Sequence, residues 1–91
     1  MAQMLSMGKL RWRLNEVMAR HFIRVDYLAK RVGISAQSLS NLKNRADMPR
    51  IDGKRLCRLC DELTLMARET DPDVTISPHD LIEYVPDNDA A

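Results

Sequence analysis

The apolar positions change period several times along the chain, and each change marks an element. Lys9-Leu-Arg-Trp-Arg-Leu14 alternates cationic and apolar residues. This places Leu10, Trp12 and Leu14 on one face of a short strand, with an early helix start as the alternative. From Leu14 the period becomes helical: Leu14, Val17, Met18 and Phe22 form one stripe, and Asn15, Arg20 and His21 fall outside it. A second short helix is predicted over 25–32, with Leu28, Ala29 and Val32 inward. Gly33 closes it, because glycine tolerates the left-handed backbone that helix ends often need. Ser35 is then a good N-cap for a third helix reaching about Asn44. Leu39 and Leu42 make its inner face, and Gln37, Asn41 and Asn44 line up on the outer one.

The second half is read in the same way. A proline-containing loop, Arg45 to Ile51, leads to a fourth helix from about Asp52 with Leu56, Leu59, Cys60 and Leu63 inward. Near the end, Ser77-Pro78-His79-Asp80 has the order of a capping box with proline at the first helical position, ahead of a short fifth helix. Ile82, Tyr84 and Val85 precede Pro86, which allows a closing strand paired with residues 9–13. Residues 87–91 are expected to fray. Asp71-Pro72-Asp73 marks a loop, and an extra helical turn before it is an option, but periodicity does not place residues 64–76. The expected fold is therefore all-α: one five-helix domain over residues 1–86, with a short terminal β-ribbon as an option.

Charge changes this picture. The formal net charge is only +1, yet residues 1–60 hold 13 Lys or Arg against four acids, whereas residues 61–91 hold one cation, Arg68, against nine acids. A concentrated basic half suits a polyanionic partner such as nucleic acid. Other chemistry is sparse. Cys57 and Cys60 form a lone CxxC without the second ligand pair of a zinc site or a thioredoxin-like strand before it. His21 and His79 stand apart from any nucleophile or metal-ligand partner, and no phosphate-cradling glycine loop is present. No metal, cofactor or enzymatic activity is expected. Nor is a membrane span or a signal peptide, so the expected location is the cytoplasm, on the nucleoid.

The segment from Val25 to Asn44 meets each constraint of a helix-turn-helix. Ala29 is small where the two helices cross closely, Gly33 permits the turn, and Leu28, Val32, Ile34, Leu39 and Leu42 are expected to seal the corner. With Leu28-Ala-Lys-Arg-Val-Gly-Ile-Ser-Ala-Gln-Ser-Leu39, Leu56-Cys-Arg-Leu-Cys-Asp-Glu-Leu63 and Asp80-Leu-Ile-Glu-Tyr-Val-Pro-Asp87, the chain resembles the Cro and repressor type helix-turn-helix regulators, also called the XRE family. The last two segments are similar to those of a small bacterial subgroup. Two places depart from the pattern: Arg24 stands where the family has a Thr or Ser cap, and 65–75 reads as an insertion.

The resemblance implies a lambda-repressor-like fold and a transcriptional regulator, a repressor by expectation, that binds double-stranded operator DNA as a homodimer. By the motif, Gln37 and Asn41 are the candidates for reading base edges, since a side-chain amide can bond adenine N6 and N7 together. Ala36 is placed to touch a thymine methyl. Arg24, Ser35, Ser40, Lys43, Asn44 and Arg45 are the phosphate-contact candidates. Trp12 is assigned to packing rather than base stacking. A competing reading makes the motif a scaffold in an antitoxin-like interaction module, with the acidic C-terminal part binding a protein partner.

Overall fold

In the computed structural model, which describes residues 8–86, the element order is β1 (Lys9–Trp12), α1 (Leu14–Arg20), α2 (Val25–Val32), α3 (Ala36–Lys43), α4 (Gly53–Ala67), α5 (Pro78–Leu81) and β2 (Ile82–Val85). The fold is thus helical with a terminal β-ribbon, as the pattern allowed. The expected frayed tail lies outside the described residues. Each helix contributes one fully buried leucine to a shared core: Leu14, Leu28, Leu39, Leu63 and Leu81. Removing such a side chain from water stabilises the fold by roughly 1.5–3 kcal/mol. Five of them from five helices make the core a joint product, and every helix but α4 is too short to hold alone.

The two strands pair antiparallel, with Lys9 opposite Val85, Leu10 opposite Tyr84, Arg11 opposite Glu83 and Trp12 opposite Ile82. The other edge of β1 is covered by the loop after α3: the Trp12 N–H donates to the Ala46 carbonyl at 2.9 Å and the Met48 N–H to the Leu10 carbonyl at 3.1 Å. The expected shared face of Leu10, Trp12 and Leu14 does not form. Trp12 is buried, but Leu14 already belongs to α1 and Leu10 is 45% exposed, because the strand runs past the helical layer at that end.

Phe22 also departs from expectation. Its place on the inner stripe required α1 to continue, but the helix ends at Arg20 and Phe22 adopts φ 57° with 84% of its surface exposed. The Phe22 N–H returns to the Ala19 carbonyl at 3.3 Å and the Ile23 N–H to the Met18 carbonyl at 2.9 Å. This is the Schellman pattern, with a phenylalanine where glycine is usual. The reversal carries Ile23, not Phe22, onto the core.

α4 is capped by Asp52, whose carboxylate accepts from the Arg55 N–H at 2.8 Å. It continues to Ala67, which supplies the extra turn, and buries Thr64, Met66 and Ala67 beyond the leucine stripe. Residues 68–76 then double back along its end. The Thr64 hydroxyl donates to the Ile76 carbonyl at 3.2 Å and accepts from the Ile76 N–H at 2.9 Å, while Arg68 bonds the Val74 carbonyl at 2.8 Å and Thr75 Oγ1 at 3.0 Å. Ile76 is buried and Val74 packs against the core. The capping box at Ser77 forms, with the Ser77 N–H on the Asp80 carboxylate at 2.8 Å, and launches α5.

Candidate nucleic-acid interface

α2 and α3 form the helix-turn-helix. Gly33 takes the left-handed conformation, φ 82°, and the Gly33 and Ile34 N–H groups both return to the Ala29 carbonyl, at 2.9 and 3.0 Å. Leu28, Ala29 and Leu39 are buried in the corner, and Val32 and Leu42 pack against them. Ile34, expected to seal the corner, stays 36% exposed. It lines a shallow groove of about 390 Å³ between the turn, α3 and the start of α4. The seal is incomplete there because α4 brings mostly long cationic side chains to that edge, Lys54, Arg55 and Arg58 beside Leu59.

α3 is fixed at both ends. At its start, Ser35 Oγ accepts from the Ser38 N–H at 3.0 Å, the expected N-cap. At its end, the Trp12 indole N–H donates to the Leu42 carbonyl at 3.0 Å, satisfying one of the acceptors that a helix terminus leaves open and tying α3 to β1. Lys43 Nζ reaches Asn15 Oδ1 at 3.1 Å and so bridges to α1. Trp12 is therefore a packing residue that also positions α3.

Between these fixed ends, Ala36, Gln37 and Asn41 are exposed on the outer face. Gln37 Nε2 donates to Asn41 Oδ1 at 3.1 Å, so the two amides hold each other one helical turn apart. That bond leaves Gln37 Oε1, its second N–H, the second lone pair of Asn41 Oδ1 and both Asn41 N–H groups for an outside partner. A pre-aligned pair also loses less side-chain freedom on docking than two independent amides.

The other candidates are distributed unevenly. Ser35, Asn44 and Arg45 are exposed at the two ends of α3, whereas Ser40 and Lys43 are half-buried. Lys43 already bonds Asn15 and, at 3.4 Å, Asn44. Arg24 stands apart at the start of α2 with no capping bond, and pairs with Asp26 at 3.1 Å on an exposed surface. Asp26 Oδ1 accepts the Tyr27 N–H at 2.9 Å and so serves the helix start in place of the missing cap.

Sequence reasoning missed a second cationic group. Arg50, Lys54 and Arg55 are exposed along the groove edge beside α3 and, among the described residues, join no ion pair. The available signal was the run of cations from Arg45 to Arg58, dispersed by helical spacing. Two basic residues nearby are used by the fold instead. Arg31 pairs with Glu62 at 3.0 Å, and Arg58 Nη2 donates to the Arg31 carbonyl at 3.1 Å, joining α2 to α4.

Elsewhere, Cys57 is an exposed thiol, and Cys60 is a buried one that burial chiefly pushes up from 9.0 to about 11, helped by the neighbouring Cys57, Asp61 and Asp80. Among the described residues no helix is long and apolar enough to cross a membrane.

The geometry is that of a short helix held outward from a leucine core, with polar side chains facing out and cations at its flanks. No curated protein and no solved structure gives a match to the chain. A family model described as the Cro/C1-type HTH DNA-binding domain matches residues 13–66, from the start of α1 to near the end of α4, and the chain belongs to that family of DNA-binding helix-turn-helix proteins.

Proposed function

We propose that the protein is a sequence-specific transcription regulator that represses by occupying an operator, with α3 lying in the major groove of double-stranded DNA. The observation that carries this reading is the outward Gln37–Asn41 amide pair on a helix anchored at both ends. In the groove these amides bond adenine edges, each bidentate contact giving about 1–3 kcal/mol of discrimination. Ala36, at the front of the helix, meets a thymine methyl. Ser35, Ser40, Lys43, Asn44 and Arg45 lie along the flanking phosphates, and Arg24 reaches the backbone at the start of α2 in exchange for its bond to Asp26. Arg50, Lys54 and Arg55 add to the backbone charge on the α4 side. The regulator acts on the nucleoid as a homodimer on a two-fold-symmetric site, with half-sites about 34 Å apart.

The test is selection from a randomised duplex library at several salt concentrations, beside a Gln37→Ala, Asn41→Ala double variant. The expected result is a palindromic site enriched by the wild type and lost by the variant, with a logarithmic salt slope of about 0.9 per phosphate neutralised in both. Enrichment of the same site by both proteins would overturn base reading by α3. Absence of any enriched site would instead favour a scaffold role for the motif.

A further inference from the structure

The groove beside the helix-turn-helix follows from how three helices lean on one another. α3 and α4 both pack against α2 more than on each other, so a cleft of about 390 Å³ stays open between the turn, α3 and the start of α4. Its apolar lining is aliphatic throughout. Leu39 and Leu59 are buried beneath it, Val32, Leu42 and Ile51 are half-buried along it, and Ile34 stands exposed. The cleft is also open at the turn itself, where a Cβ added to Gly33 would meet no atom within 4 Å. Water therefore wets a run of branched aliphatic side chains that the corner of the motif does not close over.

The rim has the opposite character. Arg50, Lys54 and Arg55 are exposed there and, among the described residues, join no ion pair, while no carboxylate lines the groove. Arg58 is committed to the fold through its bond to the Arg31 carbonyl at 3.1 Å. An aliphatic floor under free cations asks for an apolar body with one anionic head. The lining offers no aromatic ring for a nucleobase to stack on. Its volume falls at the low end of small-molecule sites, about 300–1,000 Å³. A docked protein segment would need far more surface, about 800 Å² on each side. For the head, a carboxylate matches the planar guanidinium forks of Arg50 and Arg55 and leaves the floor to the chain.

We propose that this groove is an effector site for a medium-chain aliphatic carboxylate, whose chain lies against Ile34, Leu42 and Ile51 and whose head pairs with Arg50, Lys54 and Arg55. The chain removes exposed aliphatic surface from water, which drives binding, and the cations at the rim fix which end points outward. The same cations connect the groove to DNA. In the proposed function, on which the regulatory part of this inference rests, Arg50, Lys54 and Arg55 add backbone charge on the α4 side. A carboxylate held among them neutralises part of that charge, so ligand and operator compete for one set of side chains. Coupling between two binding events is reciprocal: the ligand weakens operator binding by the factor by which the operator weakens the ligand. The effector therefore acts as an inducer that releases the protein from its site.

Two titrations test this. In the first, without DNA, amide NMR follows the protein as butanoate, hexanoate, octanoate, octyl phosphate or octylamine is added at constant ionic strength. Octanoate is expected to bind with a Kd of about 1 mM or tighter and to shift the amides of residues 32–34 and 50–55. Affinity should rise at least about twofold per methylene from butanoate to octanoate, and octylamine should leave these amides in place. Ile34→Gln and, independently, Lys54→Gln with Arg55→Gln should weaken octanoate binding at least about fivefold with unchanged circular dichroism. Equal binding of octylamine, affinity indifferent to chain length, or variants that bind as the wild type does would overturn the site. Tighter binding of octyl phosphate would overturn the carboxylate. In the second titration, operator DNA is bound in saturating octanoate, beside butanoate at the same concentration. Operator affinity should fall at least about fivefold for the wild type and stay unchanged for Ile34→Gln. Full operator affinity with octanoate bound would overturn the regulation. A protein that selects an operator but binds no octanoate would overturn this inference and leave the proposed function standing. One that binds octanoate but selects no DNA site would overturn that function, and the regulation with it, and leave the groove assignment intact.

Discussion

α3 and α4 both pack against α2 yet are held in different ways. α3 has eight residues, of which Leu39 is buried; α4 has fifteen, of which six are buried. α3 depends on bonds at its ends, to Ser35, Trp12 and Asn15, and leaves its outer face to solvent. α4 is embedded from Leu59 to Ala67 and is also gripped at its end by the returning 68–76 segment. With the proposed function, recognition and stability thus fall on different helices. Side chains on the outer face of α3 can change with the sequence to be read at little cost to the fold, because they contribute little to the core that positions them.

That division can be broken at several points. The largest effect is expected from Leu63→Ala, which empties a fully buried position on α4 and should cost about 2–5 kcal/mol in denaturant unfolding. Thr64→Val comes next. It keeps the shape but strands the buried Ile76 N–H and carbonyl, at about 1–3 kcal/mol, and should loosen 68–76 first, visible as faster amide exchange there. Cys60 gives a smaller, pH-dependent effect. Its thiol ionises at about 11 in the fold against 9.0 for the unconstrained group, so the unfolded chain releases its proton first. The stabilisation is complete below pH 9 and is lost as the pH rises toward 11, at about 1 kcal/mol per pH unit. Cys60→Ala should flatten that slope in thermal melts across this range. The smallest stability change belongs to Gln37→Ala with Asn41→Ala, within about 0.5 kcal/mol. A loss comparable to that of Leu63→Ala would mean that α3 is also a structural helix and would undo the comparison.

Legibility followed the same division. The N-cap at Ser35, the left-handed Gly33, the Asp52 start of α4 and the Ser77 capping box were readable because each depends on a few adjacent residues. Phe22 was misplaced because its periodicity was sound but the helix stopped two residues earlier, and a reversal at a phenylalanine carries no glycine to mark it. Ile34 was misjudged because its burial depends on what α4 places across from it. The turn-back of 68–76 was invisible: Thr64 and Ile76 are 12 positions apart, and nothing in either residue type announces the partner. Of the candidate interface, the exposed Gln37 and Asn41 were legible from helical spacing. Their mutual bond and the cations of α4 were not.

By itself the sequence determined the local grammar of this protein: where helices start and stop, which stripe of each is apolar, and that the chain is basic before Asp61 and acidic after it. Those properties are set within a turn or two of chain, or by composition. Only the tertiary structure decided which side chains the joint core would leave outside and what holds the end of α3. These depend on contacts between segments far apart in sequence, where a Trp12 indole meets a Leu42 carbonyl because five short helices share one core.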